Sequence, residues 1–513
     1  MKISAGLDLD VVALEQRDEF TLLVELTAPD TPSEAERIPA TLQVVLDRSG
    51  SMGGGRLGGA RTALLSLVDR LEPTDNLGVV AFDDEATLVV PAGPLSDKAA
   101  VKAAIAAVRR GGRTDLSAGY LRGLQEARRV AGPAGATVLL ISDGHANAGI
   151  VDSDRLGAVA TSAYRHGVTT STLGFGLGYD ERLLAALARG GQGNELFAEE
   201  ADTAGALIAG EVDGLLDHVA QAASLLIRTT RAVEAVAVLN QLPTTTVDGG
   251  LMAELGSFYA GETRKLVLTF AVPGIAALGL AQIATLDLTH VSLPDLVQHT
   301  ASLPVHVNVV PGDQASGRIP DPAVRAEALY QRTQHAKRRS GELLGEGRTD
   351  EAVRLLHTSS AGLRAQAPVL PLGYSRELIL EAQLMTDMAG EVHAGFASRA
   401  AKSSSCDAAR KSRSRGRRAT GELELRWARD HDAPGAAFRL EEWRLQRLAR
   451  LAPPSHASST RRQPSTSATS INSPACWTPP TRCGTSSPRP PPTGVPPCGG
   501  HDRYRPRRGS RDD

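Results

Sequence analysis

Oxygen-bearing side chains alternate in the stretch VVLDRSGSMGGGR at residues 44–56. An apolar run ends there in Asp47, and Ser49 and Ser51 follow at every second position. Because alternate side chains of an extended turn face the same way, the three oxygens can approach one point. Oxygens so placed could hold a metal, activate a nucleophile, cradle a phosphate, or form a turn that caps the next helix.

Two further stretches carry oxygens to the ends of predicted elements. Thr114 lies in GGRTDLSAGY, on a loop before a predicted helix, and Asp143 ends the apolar strand of VLLISDGHAN. In doubly wound sheets, ligands bind at the carboxyl ends of the strands, where the chain order reverses. We therefore expect five residues to converge: Asp47, Ser49, Ser51, Thr114 and Asp143. Two carboxylates and three hydroxyls form an all-oxygen set, which suits Mg²⁺ or Mn²⁺ and suits zinc poorly.

On these residues the chain resembles a von Willebrand factor type A (VWA) domain with an intact metal-ion-dependent adhesion site. The family motif is D-x-S-x-S followed by a distant Thr and a distant Asp, and all five positions match within about residues 41–217. The flanking layout is similar to that of soluble bacterial VWA proteins. The resemblance implies a bound Mg²⁺, direct ligands from the serines and the threonine, and aspartates that act directly or through water. It also implies that a partner's Asp or Glu takes the last coordination position.

The pattern of the whole chain predicts the elements that position these residues. Apolar strands alternate with amphipathic helices between 41 and 217, which indicates an α/β fold with a doubly wound, mostly parallel sheet. A strand at 18–28 has no partner in that unit, so we expect it to pair into a β-sandwich. The α/β domain would then be inserted in the sandwich or followed by it. The predicted domains are a strand and linker at 1–40, the VWA domain at 41–217, the β-sandwich at 218–312, a helical region at 320–396 and a basic, Pro/Ser-rich, largely disordered tail at 397–513.

The tail differs in composition from the rest of the chain. All four cysteines follow residue 400, so the first four hundred residues are expected to fold without disulfides. The basic run at 399–418 lacks the interleaved aromatics of a nucleic-acid-binding module, and a solvated segment is expected instead. After about residue 452 the composition cannot bury a core. That segment is either a disordered tail or an out-of-frame product of the gene.

Bulk properties exclude several classes of protein. The net charge of -2 gives no global field for nucleic acid or membrane binding. The first twenty residues lack the apolar core of a signal peptide, and no apolar run approaches the length of a membrane span. We therefore expect a cytoplasmic protein without a membrane span.

Several residues near these five are further candidates for the site. His145 is expected to be an exposed loop histidine, and Asp83 and Asp84 to be solvated turn acids at the rim. Arg48 and Arg113 flank site residues, and they either meet an acidic partner surface or are solvated charges. The glycines of SMGGGRLGG lack the G-K-[ST] ending of a phosphate-binding loop. The glycines of GFGLGYDE are misplaced for a dinucleotide fingerprint, which favours an ordinary turn.

These observations favour a non-enzymatic protein that binds another protein through Mg²⁺ and an acidic side chain of the partner. The resemblance adds an AAA+ ATPase as an expected partner, in a chelatase-like or chaperone-like system where this chain is the adaptor. A metal-dependent hydrolase is the first alternative, and it would need His145 or a site carboxylate as general base. A scaffold with a purely structural metal is the second.

Overall fold

The structure is a computed structural model that describes residues 1–30 and 38–413 of the 513-residue chain. These residues form an α/β domain, a two-sheet β-sandwich and a group of helices. The predicted tail begins at residue 397, and its part from residue 414 onward lies outside the described residues. Three strands precede the α/β domain: β1 (Lys2–Leu7), β2 (Val11–Ala13) and β3 (Asp18–Thr27).

The α/β domain alternates strands and helices. Its strands are β4 (Thr41–Asp47), β5 (Asn76–Phe82), β6 (Ala86–Pro94), β7 (Ala136–Ser142), β8 (Val168–Phe175) and β9 (Gln192–Ala198). Its helices are α1 (Arg56–Arg70), α2 (Lys98–Ala107), α3 (Leu116–Val130), α4 (Ser153–Arg165), α5 (Glu181–Gly190) and α6 (Ala201–Leu216).

The six strands form one sheet in the order β6-β5-β4-β7-β8-β9, and only the β5–β6 pair is antiparallel. Every residue of the central strands β4 and β7 is buried. Helices α1, α2 and α6 cover one face, and α3, α4 and α5 cover the other. The chain builds outward from β4 to one side and from β7 to the other, so the loops after these two strands meet at the reversal point. The predicted α/β fold is confirmed.

Helix α3 packs closely on the centre of the sheet through a glycine. A methyl group at Gly123 would lie 2.2 Å from Val45 Cγ2, a separation that no real Cβ contact has. Gly210 in α6 differs, because no atom lies within 4 Å of its added methyl group. The two glycines therefore form a matched pair for testing how tightly α3 packs on β4.

Gly123→Ala is expected to destabilise the protein by about 1–3 kcal/mol, since the added methyl group overpacks the interface between α3 and β4. Gly210→Ala is expected to be neutral or to stabilise by about 0.5–1 kcal/mol, because alanine loses less entropy in a helix. Thermal unfolding followed by circular dichroism measures both effects. Equal shifts for the two variants would contradict the packing described here.

The β-sandwich contains the three N-terminal strands and seven strands that follow the α/β domain. These are β10 (His218–Thr229), β11 (Ala235–Val238), β12 (Thr244–Val247), β13 (Gly250–Tyr259), β14 (Thr263–Val272), β15 (Gly279–Ser292) and β16 (Gln298–Val310). One sheet has the order β1-β3-β14-β11, and the other has the order β12-β13-β10-β15-β16-β2. Strand β3 pairs along its whole length with β14, and Phe20 stacks on Phe270 at 5.4 Å between ring centroids. The α/β domain therefore lies in the chain between strands of the two sheets.

A helical region follows the sandwich. Its helices are α7 (Gly312–Ala315), α8 (Pro322–Gly345), α9 (Thr349–Gln366), α10 (Leu372–His393) and α11 (Ala397–Arg413). Helices α8, α9 and α10 share an apolar core that includes Tyr330, Leu356 and Met385. Among the described residues, no helix combines the length and the apolar composition that a membrane span requires.

Helix α11 corrects the prediction that a solvated, basic tail begins at residue 397. The helix has three buried alanines, and two of its lysines are buried as well. Lys402 Nζ lies 2.6 Å from Glu181 Oε1, and Lys411 Nζ lies 2.5 Å from Glu381 Oε1. Asp407 of the same helix pairs with Arg410 and Lys411, and acids from distant segments neutralise Lys402 and add a second partner to Lys411.

Candidate metal centre

The five predicted site residues come from three loops at the carboxyl edge of the sheet. Asp47 is the last residue of β4, and the two serines lie in the turn between β4 and α1. Asp143 directly follows β7, and Thr114 lies two residues before α3. The reversal point of the sheet is therefore where all five side chains are anchored.

A chain of hydrogen bonds joins four of these residues. The backbone N–H of Ser49 donates to Asp47 Oδ1 at 2.8 Å, and Ser49 Oγ lies 2.9 Å from Ser51 Oγ. Ser51 Oγ in turn donates to Asp143 Oδ1 at 2.7 Å. Ser142 Oγ donates to Asp47 Oδ2 at 2.6 Å and fixes that carboxylate from below the loop. The D-x-S-x-S alternation thus aligns two carboxylates and two hydroxyls.

Backbone contacts bring Thr114 to the same place. Gly50 N–H donates to Gly112 O at 2.8 Å, which ties the loop before α3 to the serine turn. A Cβ added to Gly144 would lie 2.9 Å from Ser51 Oγ and 3.7 Å from Thr114 Oγ1. The two hydroxyls therefore face one small space, which the glycine at position 144 keeps open.

Burial differs between the two sides of this space. Asp47, Ser49, Thr114 and Asp143 are all buried, with at most 4% of each residue exposed. Ser51 is exposed, so the space opens to solvent on its side. A group on a partner molecule can reach the oxygens from that direction.

The two carboxylates are close enough to affect each other. Burial raises the pKa of Asp47, hydrogen bonds from Ser142 and Ser49 lower it, and the charge of Asp143 raises it further. Desolvated carboxylates that repel each other are stabilised by a cation between them. This electrostatic arrangement fits a divalent cation.

The donor set also fits a hard cation. The described residues contain no group of three or more His, Cys, Asp or Glu side chains that could hold a metal, and the hydroxyls are the further protein oxygens that face this space. Carboxylates and hydroxyls are oxygen donors of the type that Mg²⁺ and Mn²⁺ bind. No described residue forms a hydrogen bond with Thr114 Oγ1, which leaves that oxygen available.

The structure adds Arg56, which the sequence analysis missed. Its Nη1 lies 2.8 Å from Asp143 Oδ2 and donates to Ser51 O at 3.2 Å, while 39% of the side chain stays exposed. Arg56 is the first residue of α1, directly after the glycine run. In the sequence, only its position at the end of the glycine run that follows Ser51 connects Arg56 with the site.

Three of the other candidates have defined contacts. Arg48 Nη2 forms an ion pair with Asp83 at 3.1 Å, so Asp83 is a buried, paired acid rather than the solvated one that was predicted. Burial raises the pKa of Asp83, but hydrogen bonds from the Glu85 backbone and from Arg48 lower it overall. His145 has 70% of its side chain exposed, which confirms the prediction of an exposed loop histidine.

The remaining candidates lie at the edges of the site. Arg113 is exposed, and its backbone N–H donates to Asp84 Oδ1 at 2.8 Å. The GFGLGYDE stretch is an ordinary turn between β8 and α5, in which Asp180 caps the helix through Leu183 N–H at 3.0 Å.

Comparison with known families identifies the class of the α/β domain. Residues 42–208 match the von Willebrand factor type A domain. The predicted VWA domain is thereby confirmed for this segment.

Curated bacterial relatives share part of the chain. The Synechocystis protein sll0103 is 34% identical over 192 residues, which are 37% of this chain and 44% of that protein. YfbK of Escherichia coli is 32% identical over 209 residues, covering 40% of this chain and 36% of its own length. A UPF0353 protein of Mycolicibacterium paratuberculosis is 35% identical over 176 residues, which cover 31% of this chain and 52% of that protein. The chain thus spans between 36% and 52% of the length of these relatives.

Solved structures resemble the chain beyond the α/β domain. The VWA2 paralog of ArnB from Sulfolobus acidocaldarius has a TM-score of 0.55 at 15% identity, over 80% of this chain and 97% of its own. A von Willebrand factor type A protein from Catenulispora acidiphila has a TM-score of 0.58 at 16% identity, and the match covers 76% of this chain and 88% of that protein. At these identities the likeness concerns the fold alone.

Proposed function

We propose that the chain binds a divalent cation, Mg²⁺ or Mn²⁺, and uses it to capture an acidic side chain of a partner protein. The observation that carries the proposal is the convergence of Ser51, Thr114 and Asp143 on one space that opens to solvent. The ligands would be Asp47, Ser49, Ser51, Thr114 and Asp143. VWA domains are interaction modules, and the match over residues 42–208 supports a role in protein–protein binding.

The residues of the site have distinct parts in this proposal. When bound, the cation supplies a positive centre that attracts a carboxylate, since three of its five ligands are neutral. The loops hold the oxygens in register, and Ser142 and the Ser49 backbone orient Asp47. Burial of four ligands excludes water on the inner side, while the exposed side admits the partner.

The proposal is tested by capture from an extract of the native cells. The full chain is immobilised and washed with Mg²⁺ or with EDTA, and retained proteins are identified by mass spectrometry. We expect a protein that is retained only with Mg²⁺ and whose binding is lost when one of its own Asp or Glu residues is replaced. Retention that is equal with Mg²⁺ and EDTA would contradict the proposal. The AAA+ ATPase expected from the resemblance would appear among the retained proteins.

Arg56→Gln is expected to raise the affinity for Mg²⁺ about two- to fivefold. The guanidinium competes with the cation for Asp143 Oδ2, and a half-exposed ion pair contributes up to about 1 kcal/mol. Arg70→Gln is the control, because Arg70 lies at the other end of α1 and pairs with Asp213. Calorimetric titration with MgCl₂ measures the affinities. A decrease for Arg56→Gln would mean that the arginine supports the site instead.

A further inference from the structure

A cleft of about 760 Å³ lies between α5 of the α/β domain and helices α8 and α11. A smaller cavity of about 30 Å³ adjoins it at the sandwich. Arg189 of α5 and Arg338 of α8 line both spaces, and Gln241 of the sandwich lines the smaller one. Side chains from all three parts of the protein therefore meet at the inner end of the cleft.

These three side chains offer more hydrogen-bond donors than the described residues accept. The Arg189 side chain is exposed to the cleft and forms no hydrogen bond or ion pair with any described residue. Arg338 Nη1 donates to Gln241 Oε1 at 2.8 Å, and its Nε lies 3.6 Å from Glu342. Gln241 Nε2 is buried, and no described residue accepts a hydrogen bond from it. An unsatisfied buried donor is costly, which points to a missing acceptor.

The surrounding charges favour an anion as that acceptor. Arg410 and Arg413 also line the smaller cavity, where Glu195 is the only carboxyl among the described lining residues. Arg410 is paired with Asp407 at 3.2 Å, so the unpaired positive charge comes from the other arginines. Arg413 Nη2 donates to the backbone carbonyl of Gln192 at 2.7 Å, so no acid neutralises it there. Burial raises the pKa of Glu195.

Most acids of the outer cleft are already paired. Glu181 lies 2.6 Å from Lys402, and Glu342 and Glu346 each lie 2.9 Å from an arginine. Asp154, at the start of α4, is the remaining exposed acid of the lining. The inner end of the cleft is therefore the place where positive charge exceeds negative charge.

We propose that Arg189, Arg338 and Gln241 bind a phosphate group of a small molecule at the inner end of this cleft. Guanidinium groups match the geometry of phosphate oxygens, and they bind them with strong, charge-assisted hydrogen bonds. Donors that come from three separate elements suit a group with three or four acceptor oxygens better than a carboxylate with two. The volume of the cleft lies in the range of small-molecule sites.

The test is calorimetric titration of the full chain in a buffer with EDTA, so that the candidate metal centre takes no part. The probes are inorganic phosphate, pyrophosphate and adenosine monophosphate, and acetate is the carboxylate control. We expect saturable binding of a phosphate probe that Arg189→Gln weakens at least about tenfold. Arg155 is an exposed arginine of α4, and the control variant Arg155→Gln is expected to bind the phosphate probe with the affinity of the unchanged protein.

Arg189→Gln also separates binding from folding. Because Arg189 has no partner among the described residues, the variant is expected to keep the melting temperature of the unchanged protein without phosphate and to lose the increase that phosphate causes. If the chain binds adenosine monophosphate more tightly than inorganic phosphate, the ligand of the cleft is an organic phosphate. If the two probes bind with equal affinity, the ligand is the free phosphate ion. The proposal is overturned if no probe saturates, if acetate binds as tightly as phosphate, or if Arg189→Gln binds normally.

Discussion

Replacing Thr114 by valine is expected to abolish tight binding of Mg²⁺ or Mn²⁺ without changing the melting temperature. Valine keeps the shape of threonine and removes only the hydroxyl, with which no described residue forms a hydrogen bond. The backbone anchors remain, since Thr114 N–H donates to Asn147 Oδ1 at 3.0 Å and Thr114 O accepts from Asn147 N–H at 3.1 Å. Loss of a group that merely supports a metal ligand costs about 10–100-fold in affinity, so loss of a ligand itself should cost at least as much.

Titration with MnCl₂, followed by calorimetry, measures this effect. Thr62→Val is the matched control, because the Thr62 hydroxyl is exposed on α1 and donates to Gly58 O at 3.1 Å. We expect the control to bind Mn²⁺ with the affinity of the unchanged protein. If Thr114→Val bound Mn²⁺ equally well, Thr114 would not be a ligand.

Replacing Lys337 by methionine is expected to destabilise the helical region by about 3–5 kcal/mol. Lys337 is fully buried, and its Nζ donates to Glu381 on α10 at 2.9 Å and to Asp407 on α11. Lys411 completes the cluster at 2.5 Å from Glu381. Burial alone would raise the pKa of both acids, but the charges of Lys337 and Lys411 lower it overall. Without Lys337, Glu381 and Asp407 each lose a charged hydrogen-bond donor, and only Lys411 and, at Asp407, Arg410 at 3.2 Å remain beside them. The burial of the two carboxylates is then less well compensated, which opposes folding.

Hydrogen exchange across α8, α10 and α11, together with thermal unfolding, measures the loss. Arg339→Met is the control, since Arg339 is exposed next to Lys337 and pairs with Glu342 at 2.9 Å on the surface. We expect the control to change little. Equal protection of α11 in Lys337→Met and the unchanged protein would show that the cluster does not hold this helix.

The sequence predicted those features that depend on local periodicity. The strands β4 and β7 are continuous apolar runs, and the helices between them have apolar residues at helical spacing, so the α/β domain was visible from its pattern. The convergence of Asp47, Thr114 and Asp143 followed from the rule that loops at the carboxyl ends of parallel strands meet.

Features that depend on distant partners were not predictable in this way. The local sequence of α11 predicts a solvated basic run, because Glu181 on α5 and Glu381 on α10, which pair with its two lysines, are distant in the chain. Arg56 was missed since only the fold brings its guanidinium to Asp143. Strand β1 was missed as well, because most of its residues are exposed and its apolar pattern is weak.

The central claim is that the five oxygen-bearing residues hold a divalent cation with a position open to a carboxylate. Anomalous diffraction at the manganese edge, from crystals grown with MnCl₂ and sodium acetate, tests this claim most directly. We expect one strong peak among Ser49, Ser51 and Thr114, with an acetate oxygen bound to it on the exposed side. Crystals that bind manganese elsewhere, or that leave this space without a peak, would contradict the account.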